Sequence, residues 1–152
     1  MKEKRKVLFV SSSGGHWIQL RRLRPAFDGW HRLYACTNEG YRSTIDDGED
    51  FFGLPEASRW NKIRLVYQAG MVLSIIARTQ PEVVVSTGAS PGFFAMLFGR
   101  AMGKKTIWVD SIANVDELSL SGQQARRFAD LWITQWEHLA RPEGPKFFGA
   151  VV

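Results

Sequence analysis

Short apolar runs alternate with longer helical segments along this chain, and this alternation limits its possible folds most strongly. The β-branched and aromatic runs predict strands at residues 6–10, 32–37, 83–86, 106–109, 131–135 and 147–151. The segments between them predict helices at residues 17–24, 59–79, 92–102 and 121–129. Such alternation is typical of βαβ units. We therefore predict one Rossmann-like α/β domain over residues 1–152, a mostly parallel sheet with helices on both faces.

Length and composition exclude several classes of protein. With 152 residues and 45% apolar side chains, the chain can bury one core but is short for a two-domain enzyme. The single cysteine, Cys36, cannot form an internal disulfide, which favours a reducing compartment. No signal peptide is evident, and the longest apolar run, residues 65–77, is shorter than the roughly 20 residues that a membrane span takes. We expect a cytoplasmic protein.

Charge is distributed in blocks along the sequence. Residues 1–25 hold seven basic side chains and one acid, residues 37–58 hold six acids and one arginine, and residues 59–78 hold four basic side chains and no acid. Such blocks predict separate surfaces, of which the basic ones suit nucleic acid, anionic lipid or a phosphorylated substrate. Since the aromatic and basic spacing matches no nucleic-acid-binding module, we expect no nucleic-acid partner.

The first predicted strand runs into a loop that ends in Gly14, Gly15 and His16. Free backbone N–H groups at a helix start, with glycines that allow close approach, form a cradle for phosphate or a sugar hydroxyl. The alternative is an ordinary tight turn with His16 bonded to the backbone. Because open α/β sheets bind ligands at this edge, we favour the binding site. The chain contains neither the glycine fingerprint of dinucleotide-binding proteins nor the phosphate-binding loop of proteins that bind nucleoside triphosphates.

The second loop, residues 86–92, matches the Gly-x-Ser-x-Gly pattern of α/β-hydrolases, with Ser90 as nucleophile. That mechanism needs a backbone N–H on the next residue, and Pro91 has none, which argues against a hydrolase. A second cradle for an anion or hydroxyl fits better. The loop also fits an ordinary helix start, with Ser90 as N-cap and Pro91 at the first helical position.

For the helix at 59–79, Ser58 is the predicted N-cap.

The third loop begins at Asp110, which we expect close to His16 at the same sheet edge. An acid beside an imidazole suits proton abstraction from an alcohol, and a helix N-terminus favours the neutral imidazole. His31 and His138 are interpreted as structural, because neither belongs to a cluster with metal-ligand spacing. We expect neither a metal nor a cofactor.

Four segments matter together: residues 14–16, 86–92, 108–114 and 129–136. In combination they resemble the acceptor-side subunit of split UDP-sugar glycosyltransferases of oligosaccharide and exopolysaccharide biosynthesis. Their order is also similar to the amino-terminal half of the transferase that forms lipid II. The resemblance implies the GT-B fold, whose first domain takes a lipid-linked acceptor and whose second holds the UDP-sugar. Only the acceptor half matches, which implies a small partner subunit that supplies the donor site.

The resemblance also implies roles for individual residues. His16 becomes the catalytic base or an acceptor-binding group, with Asp110 orienting or replacing it. The acceptor and its diphosphate are expected at Ser13, Gly14, Gly15, Gly88, Ser90, Gly92 and Asn114. The UDP-sugar is the donor substrate, and no metal is implied.

Attachment to a membrane surface is predicted from two stretches. The first is basic and amphipathic, with Trp17, Arg21, Arg22 and Arg24, close to Lys2, Lys4, Arg5 and Lys6. The second is the helix at 59–79 with Trp60, although its many apolar residues also fit a core or a subunit interface. We expect a peripheral protein on the inner face of the cell membrane.

The resulting hypothesis is a subunit of a two-component inverting glycosyltransferase. It adds a sugar from a UDP-sugar to a polyprenyl-diphosphate-linked acceptor, and it is active only with its partner. The alternative is a non-catalytic membrane adaptor that enhances a catalytic partner.

Overall fold

The computed structural model describes residues 3–151, so Lys2 of the predicted basic cluster lies outside the described residues. The strands are β1 (Lys6–Ser11), β2 (His31–Cys36), β3 (Asp50–Gly53), β4 (Val83–Ser86), β5 (Lys105–Val109), β6 (Leu131–Thr134) and β7 (Lys146–Phe147). They form one sheet in the order β3-β2-β1-β4-β5-β6-β7, and each neighbouring pair is parallel. The predicted α/β class is therefore confirmed.

Helices cover both faces of the sheet. They are α1 (Gly15–Arg22), α2 (Lys62–Thr79), α3 (Ala89–Ala101) and α4 (Leu120–Ala125), and short 3₁₀ helices lie at Arg24–Phe27, Glu39–Thr44 and Glu137–Leu139. Side chains alternate across a strand, so Val7 and Phe9 of β1 pack on the α1 side while Leu8 and Val10 pack on the side of α2, α3 and α4. Among residues 3–151, no helix combines the length and apolarity that a bilayer crossing requires.

Strand β3 was not predicted, and the acidic block around it is not a separate surface. Its carboxylates pair with basic groups of β2 and of the first 3₁₀ helix. The pairs are Asp46 with Arg24 at 3.1 Å, Glu49 with Arg32 at 2.7 Å, and Asp50 with His31 at 2.7 Å. The acids therefore hold the β2–β3 edge of the sheet together.

Two predicted helix caps are wrong. Helix α2 begins at Lys62 rather than 59, because the Asn61 side chain, not Ser58, accepts the N–H of Arg64 at 3.1 Å. Helix α3 begins at Ala89 with Gly88 as its N-cap, so Ser90 lies inside the first turn. The predicted terminal strand at 147–151 is wrong beyond its first residue, because β7 covers Lys146–Phe147 and residues 148–151 form no strand.

Candidate functional site

The three predicted loops follow β1, β4 and β5, which are neighbours in the sheet. The chain order reverses between β1 and β4, since β2 and β3 extend to one side and β5 to β7 to the other. Open parallel sheets bind ligands at the carboxyl ends of strands beside such a reversal. The fold therefore brings the first, second and third loops to one potential binding edge.

His16 on the first loop is bonded to the second loop through two reciprocal contacts. Its ring Nδ1 lies 3.1 Å from the carbonyl oxygen of Thr87, and the Thr87 hydroxyl donates to the backbone carbonyl of His16 at 2.6 Å. Because a carbonyl only accepts, Nδ1 carries the proton of the neutral ring, and Nε2 keeps the lone pair. The arrangement prepares His16 to accept a proton at Nε2.

Gly88 is the point of closest approach between the second loop and His16. Its backbone has φ 153° and ψ 179°, a region that is essentially restricted to glycine. A Cβ at this position would overlap the imidazole ring of His16. The glycine therefore allows the Thr87 carbonyl and the His16 ring to meet.

Two other second-loop residues differ from their expected roles. Ser90 does not cap α3; its hydroxyl donates to Oε1 of Gln68 on α2 at 2.7 Å. Gly92 is buried, and a Cβ there would overlap the Ser86 hydroxyl and approach Trp108. Burial removes Gly92 from contact with a diphosphate, and its small size instead lets α3 pack on the sheet.

The first loop presents the beginning of α1. Ser13 donates its N–H to Thr37 Oγ1 at 3.2 Å, and Gly14, with φ 80°, donates its N–H to the Tyr41 hydroxyl at 3.1 Å. These two N–H groups therefore already have hydrogen-bond partners. The backbone N–H groups of the first turn of α1, which begins at Gly15, lack partners within the helix, so they are the groups suited to an anion.

Asp110 is buried and does not pair with His16. Its carboxylate accepts hydrogen bonds from Trp108 Nε1 at 3.0 Å, Ser119 N at 2.9 Å, Ser119 Oγ at 2.5 Å and Asn114 Nδ2 at 3.3 Å. These contacts fix the third loop and the start of α4. The expected acid–imidazole pair is therefore absent, because the carboxylate of Asp110 turns to its own loop and not to the first loop.

Two cavities lie on either side of the second loop. The His16 cavity, of about 430 Å³, is lined by Gly15, His16, Gln19, Ser111, Asn114 and Ser119 among others. The α2 cavity, of about 610 Å³, is lined by Ser12, Ser13, Thr37, Arg64, Gln68 and Ser90 among others. Ala89 lines both cavities. Together they provide a basic imidazole, hydroxyl groups and helix N-termini around one loop.

Comparisons with known proteins identify the family. The family model described as "Oligosaccharide biosynthesis protein Alg14 like" matches residues 57–151. The UDP-N-acetylglucosamine transferase subunit ALG14 of Eremothecium gossypii is 35% identical over 97% of this chain and 80% of its own length. The human subunit of the same name is 28% identical over 99% of this chain and 85% of its own length. The chain belongs to the Alg14 family.

Solved structures that resemble this Alg14 family member agree on the fold. MurG of Acinetobacter baumannii superimposes with a TM-score of 0.79 at 13% identity over 97% of this chain. A UDP-N-acetylglucosamine 2-epimerase of Listeria monocytogenes gives a TM-score of 0.65 at 12% identity over 88% of this chain. The chain spans 46% of the MurG chain and 40% of the epimerase chain. The predicted likeness to the amino-terminal half of a GT-B glycosyltransferase is thus confirmed for the fold.

The predicted membrane-facing stretch on α1 is wrong for Trp17. Trp17 is buried, stacks on Tyr41 and packs against Tyr34 and Phe51. Its (i, i+3) neighbour Leu20 is buried with it, so this face of the helix belongs to the core.

The arginines of the stretch also have partners within the chain. Arg21 donates to the Thr44 carbonyl, Arg22 to the Val151 carbonyl, and Arg24 pairs with Asp46.

Helix α2 instead presents the more continuous apolar surface of the Alg14 family member. Trp60 is 81% exposed, just before the helix, and Ile63, Val66 and Tyr67 are 84%, 72% and 61% exposed. The exposed cations Arg59, Lys62 and Arg64 lie among them. We call the surface formed by Trp60, Ile63, Val66 and Tyr67 the α2 face.

Sequence reasoning missed three residues that shape the site. Thr87 orients His16, and Gln68 holds Ser90. The third is Gln19, which is 6% exposed; its side-chain amide donates to the Ser111 hydroxyl and accepts a hydrogen bond from the N–H of Ile112. One signal was visible for Gln68: it is a polar residue within the longest apolar run of the chain. A buried amide in such a run requires hydrogen-bond partners, which in the fold are the Ser90 hydroxyl and the Pro55 carbonyl.

Proposed function

We propose that this chain is the acceptor-side subunit of a two-component inverting glycosyltransferase. The donor is UDP-N-acetylglucosamine, as the names of the ALG14 relatives indicate. The acceptor is a sugar linked to a polyprenyl diphosphate. The observation that carries the proposal is the bond between His16 Nδ1 and the Thr87 carbonyl, which leaves Nε2 free to accept a proton.

The proposed reaction is a single displacement. The acceptor hydroxyl attacks the anomeric carbon of the donor sugar while Nε2 of His16 takes the hydroxyl proton, and UDP leaves with the electron pair of the broken bond. N–H groups at the starts of α1 and α3 bind the acceptor diphosphate. Asp110 acts indirectly, because it holds the third loop that lines the His16 cavity.

A partner subunit supplies most of the donor site in this proposal. The relatives are named as subunits, and the GT-B-type MurG chain is about twice as long as the part that this chain matches. The second half of such a fold would come from a separate, smaller chain. The complex is then the active enzyme.

Reconstitution tests the proposal. We expect transfer of radiolabelled N-acetylglucosamine from its UDP form to lipid-extractable acceptor in native membranes only when this chain and the small subunit are both present. Transfer by the small subunit alone would support the second candidate, a membrane adaptor that enhances a catalytic partner. Transfer by this chain alone would contradict the assignment of the donor site to a partner.

We also propose that the α2 face binds the inner surface of the cell membrane. Its apolar side chains are exposed beside basic ones, and residues 59–78 contain no acid. Apolar burial and attraction to anionic headgroups then act together. In this proposal Trp60 faces the membrane as predicted, whereas Trp17 of α1 does not contact the membrane.

Polar replacement on the α2 face is expected to weaken membrane binding. In the double variant Trp60→Ser, Ile63→Ser, affinity for anionic liposomes should fall at least about tenfold, since burial of one large apolar side chain contributes roughly 1.5–3 kcal/mol. Cosedimentation at low salt measures this. Phe148→Ser is the matched control, because Phe148 is 71% exposed but lies outside α2. Equal binding by wild type and double variant would remove the α2 face from the proposal.

A further inference from the structure

Gln68 is a glutamine in α2 with no solvent exposure, and both ends of its amide are bonded to other segments. Its Oε1 accepts a hydrogen bond from the Ser90 hydroxyl, with 2.7 Å between the oxygens, and its Nε2 donates to the carbonyl of Pro55 at 2.9 Å. The amide therefore ties three segments together: α2, the connection that precedes it, and the first turn of α3.

The turn that Gln68 holds is unusual in its backbone. Gly88 has φ 153° and Ala89 has φ 65°, a left-handed conformation that is uncommon for alanine. The N-cap Gly88 provides no side-chain hydrogen bond to the helix. Such conformations persist only when surrounding contacts enforce them. Here the Thr87–His16 bonds hold the turn on one side, and the Ser90–Gln68 bond holds it on the other.

We infer that Gln68 is a positioning residue for the acceptor diphosphate. Through Ser90 it would fix the first turn of α3, where the N–H groups of Ala89 and Ser90 remain for the anion because Gly88 N–H bonds to Ser86 Oγ and Pro91 has no N–H. The inference rests on the proposed function, and it adds a residue that touches neither the donor nor the reacting atoms. Gln68 also follows Tyr67 of the α2 face, so the same helix that contacts the membrane surface would hold the turn that binds the lipid-linked substrate.

The location of Gln68 relative to the cavities supports this role. Gln68 and Ser90 both line the α2 cavity, and Ala89 separates that cavity from the His16 cavity. Arg64, one helical turn before Gln68, lines the α2 cavity as well and provides a positive charge there. Loss of the amide would free Ser90 and relax the wall that the two cavities share.

The test uses Gln68→Met, Ser90→Ala and the double variant, each in the complex with the small subunit. Methionine matches glutamine in length but forms neither bond. We expect each single variant to weaken binding of farnesyl diphosphate, measured by calorimetry, by about five- to tenfold. KM for the lipid-linked acceptor should rise by a similar factor while KM for UDP-N-acetylglucosamine stays constant. The double variant should be no weaker than Gln68→Met alone, because both changes remove the same Ser90–Gln68 bond.

Ser90→Thr keeps the hydroxyl and should retain wild-type binding. If Gln68→Met only lowers the melting temperature, with diphosphate affinity unchanged, the role of Gln68 is purely structural and the inference is overturned. Absence of farnesyl diphosphate binding to the wild-type complex would overturn it too. If the variants bind the diphosphate more weakly but the wild-type complex transfers no sugar, the inference stands and the proposed function fails.

Discussion

Replacing His16 with asparagine is expected to reduce sugar transfer by roughly 10²- to 10⁴-fold, the usual contribution of a positioned general base. The asparagine amide can take the place of Nδ1 and donate to the Thr87 carbonyl, so the loop contact seen for His16 is retained. The variant lacks only the proton acceptor at Nε2. Initial rates in the reconstituted complex, with the acceptor saturating, measure the loss in kcat.

His31→Ala provides the matched control for this prediction. The His31 ring bonds to Asp50 at 2.7 Å at the start of β2, on the opposite edge of the sheet from the three loops. Its removal is expected to leave the rate of transfer unchanged. A His16→Asn variant that transfers sugar at the wild-type rate, and still binds the small subunit, would exclude His16 as the base.

The pattern of strands, loops and helices could be predicted because its signals are local. Apolar runs define β1, β2 and β4 to within one residue at either end, and the glycine-containing loops follow β1 and β4. Strand β3 gave no such signal: it is a four-residue edge strand in an acidic segment. It pairs with β2, and the acid that precedes it, Glu49, bonds to Arg32 of β2, which is distant in sequence.

The directions of individual side chains could not be predicted in the same way. Asp110 follows β5 as expected, but its carboxylate faces Trp108 and Ser119 because Gly122 leaves space there; a Cβ on Gly122 would approach the carboxylate within 2.5 Å. Gly122 is therefore the residue that lets the third loop close on Asp110.

Burial of Trp17 shows a different limit of sequence patterns. The stretch from 17 to 24 contains both aromatic and basic residues, which fits a membrane-surface helix as well as a core helix. The aromatic partners that decide between these, Tyr34, Tyr41 and Phe51, come from β2, the following 3₁₀ helix and β3. Tertiary contacts of this kind are not encoded in the periodicity of one helix.

The variant Gly88→Ala is expected to inactivate the complex nearly as fully as a change of His16 itself. The added Cβ would overlap the imidazole ring, and the φ of 153° is unfavourable for any residue with a side chain. The backbone conformation alone costs about 1–3 kcal/mol. To relieve the overlap, the ring must move away from the Thr87 carbonyl, which removes the bond that fixes its tautomer. Transfer rates and the melting temperature of the purified chain measure the two effects.

Gly70→Ala is the matched control for Gly88→Ala, because it makes the same chemical change where space is open. Gly70 lies within α2, and an alanine Cβ there would meet no atom within 4 Å beyond the neighbouring helix backbone, so alanine should stabilise the helix by about 0.5–1 kcal/mol and leave transfer intact. If Gly88→Ala lowers the melting temperature but transfers sugar at the wild-type rate, contact between the second loop and His16 is not needed for the reaction. If transfer is lost while the melting temperature falls by only a few degrees, the defect lies in the position of the His16 ring and not in the fold, because the strained turn occupies one loop while the core of the sheet is unchanged.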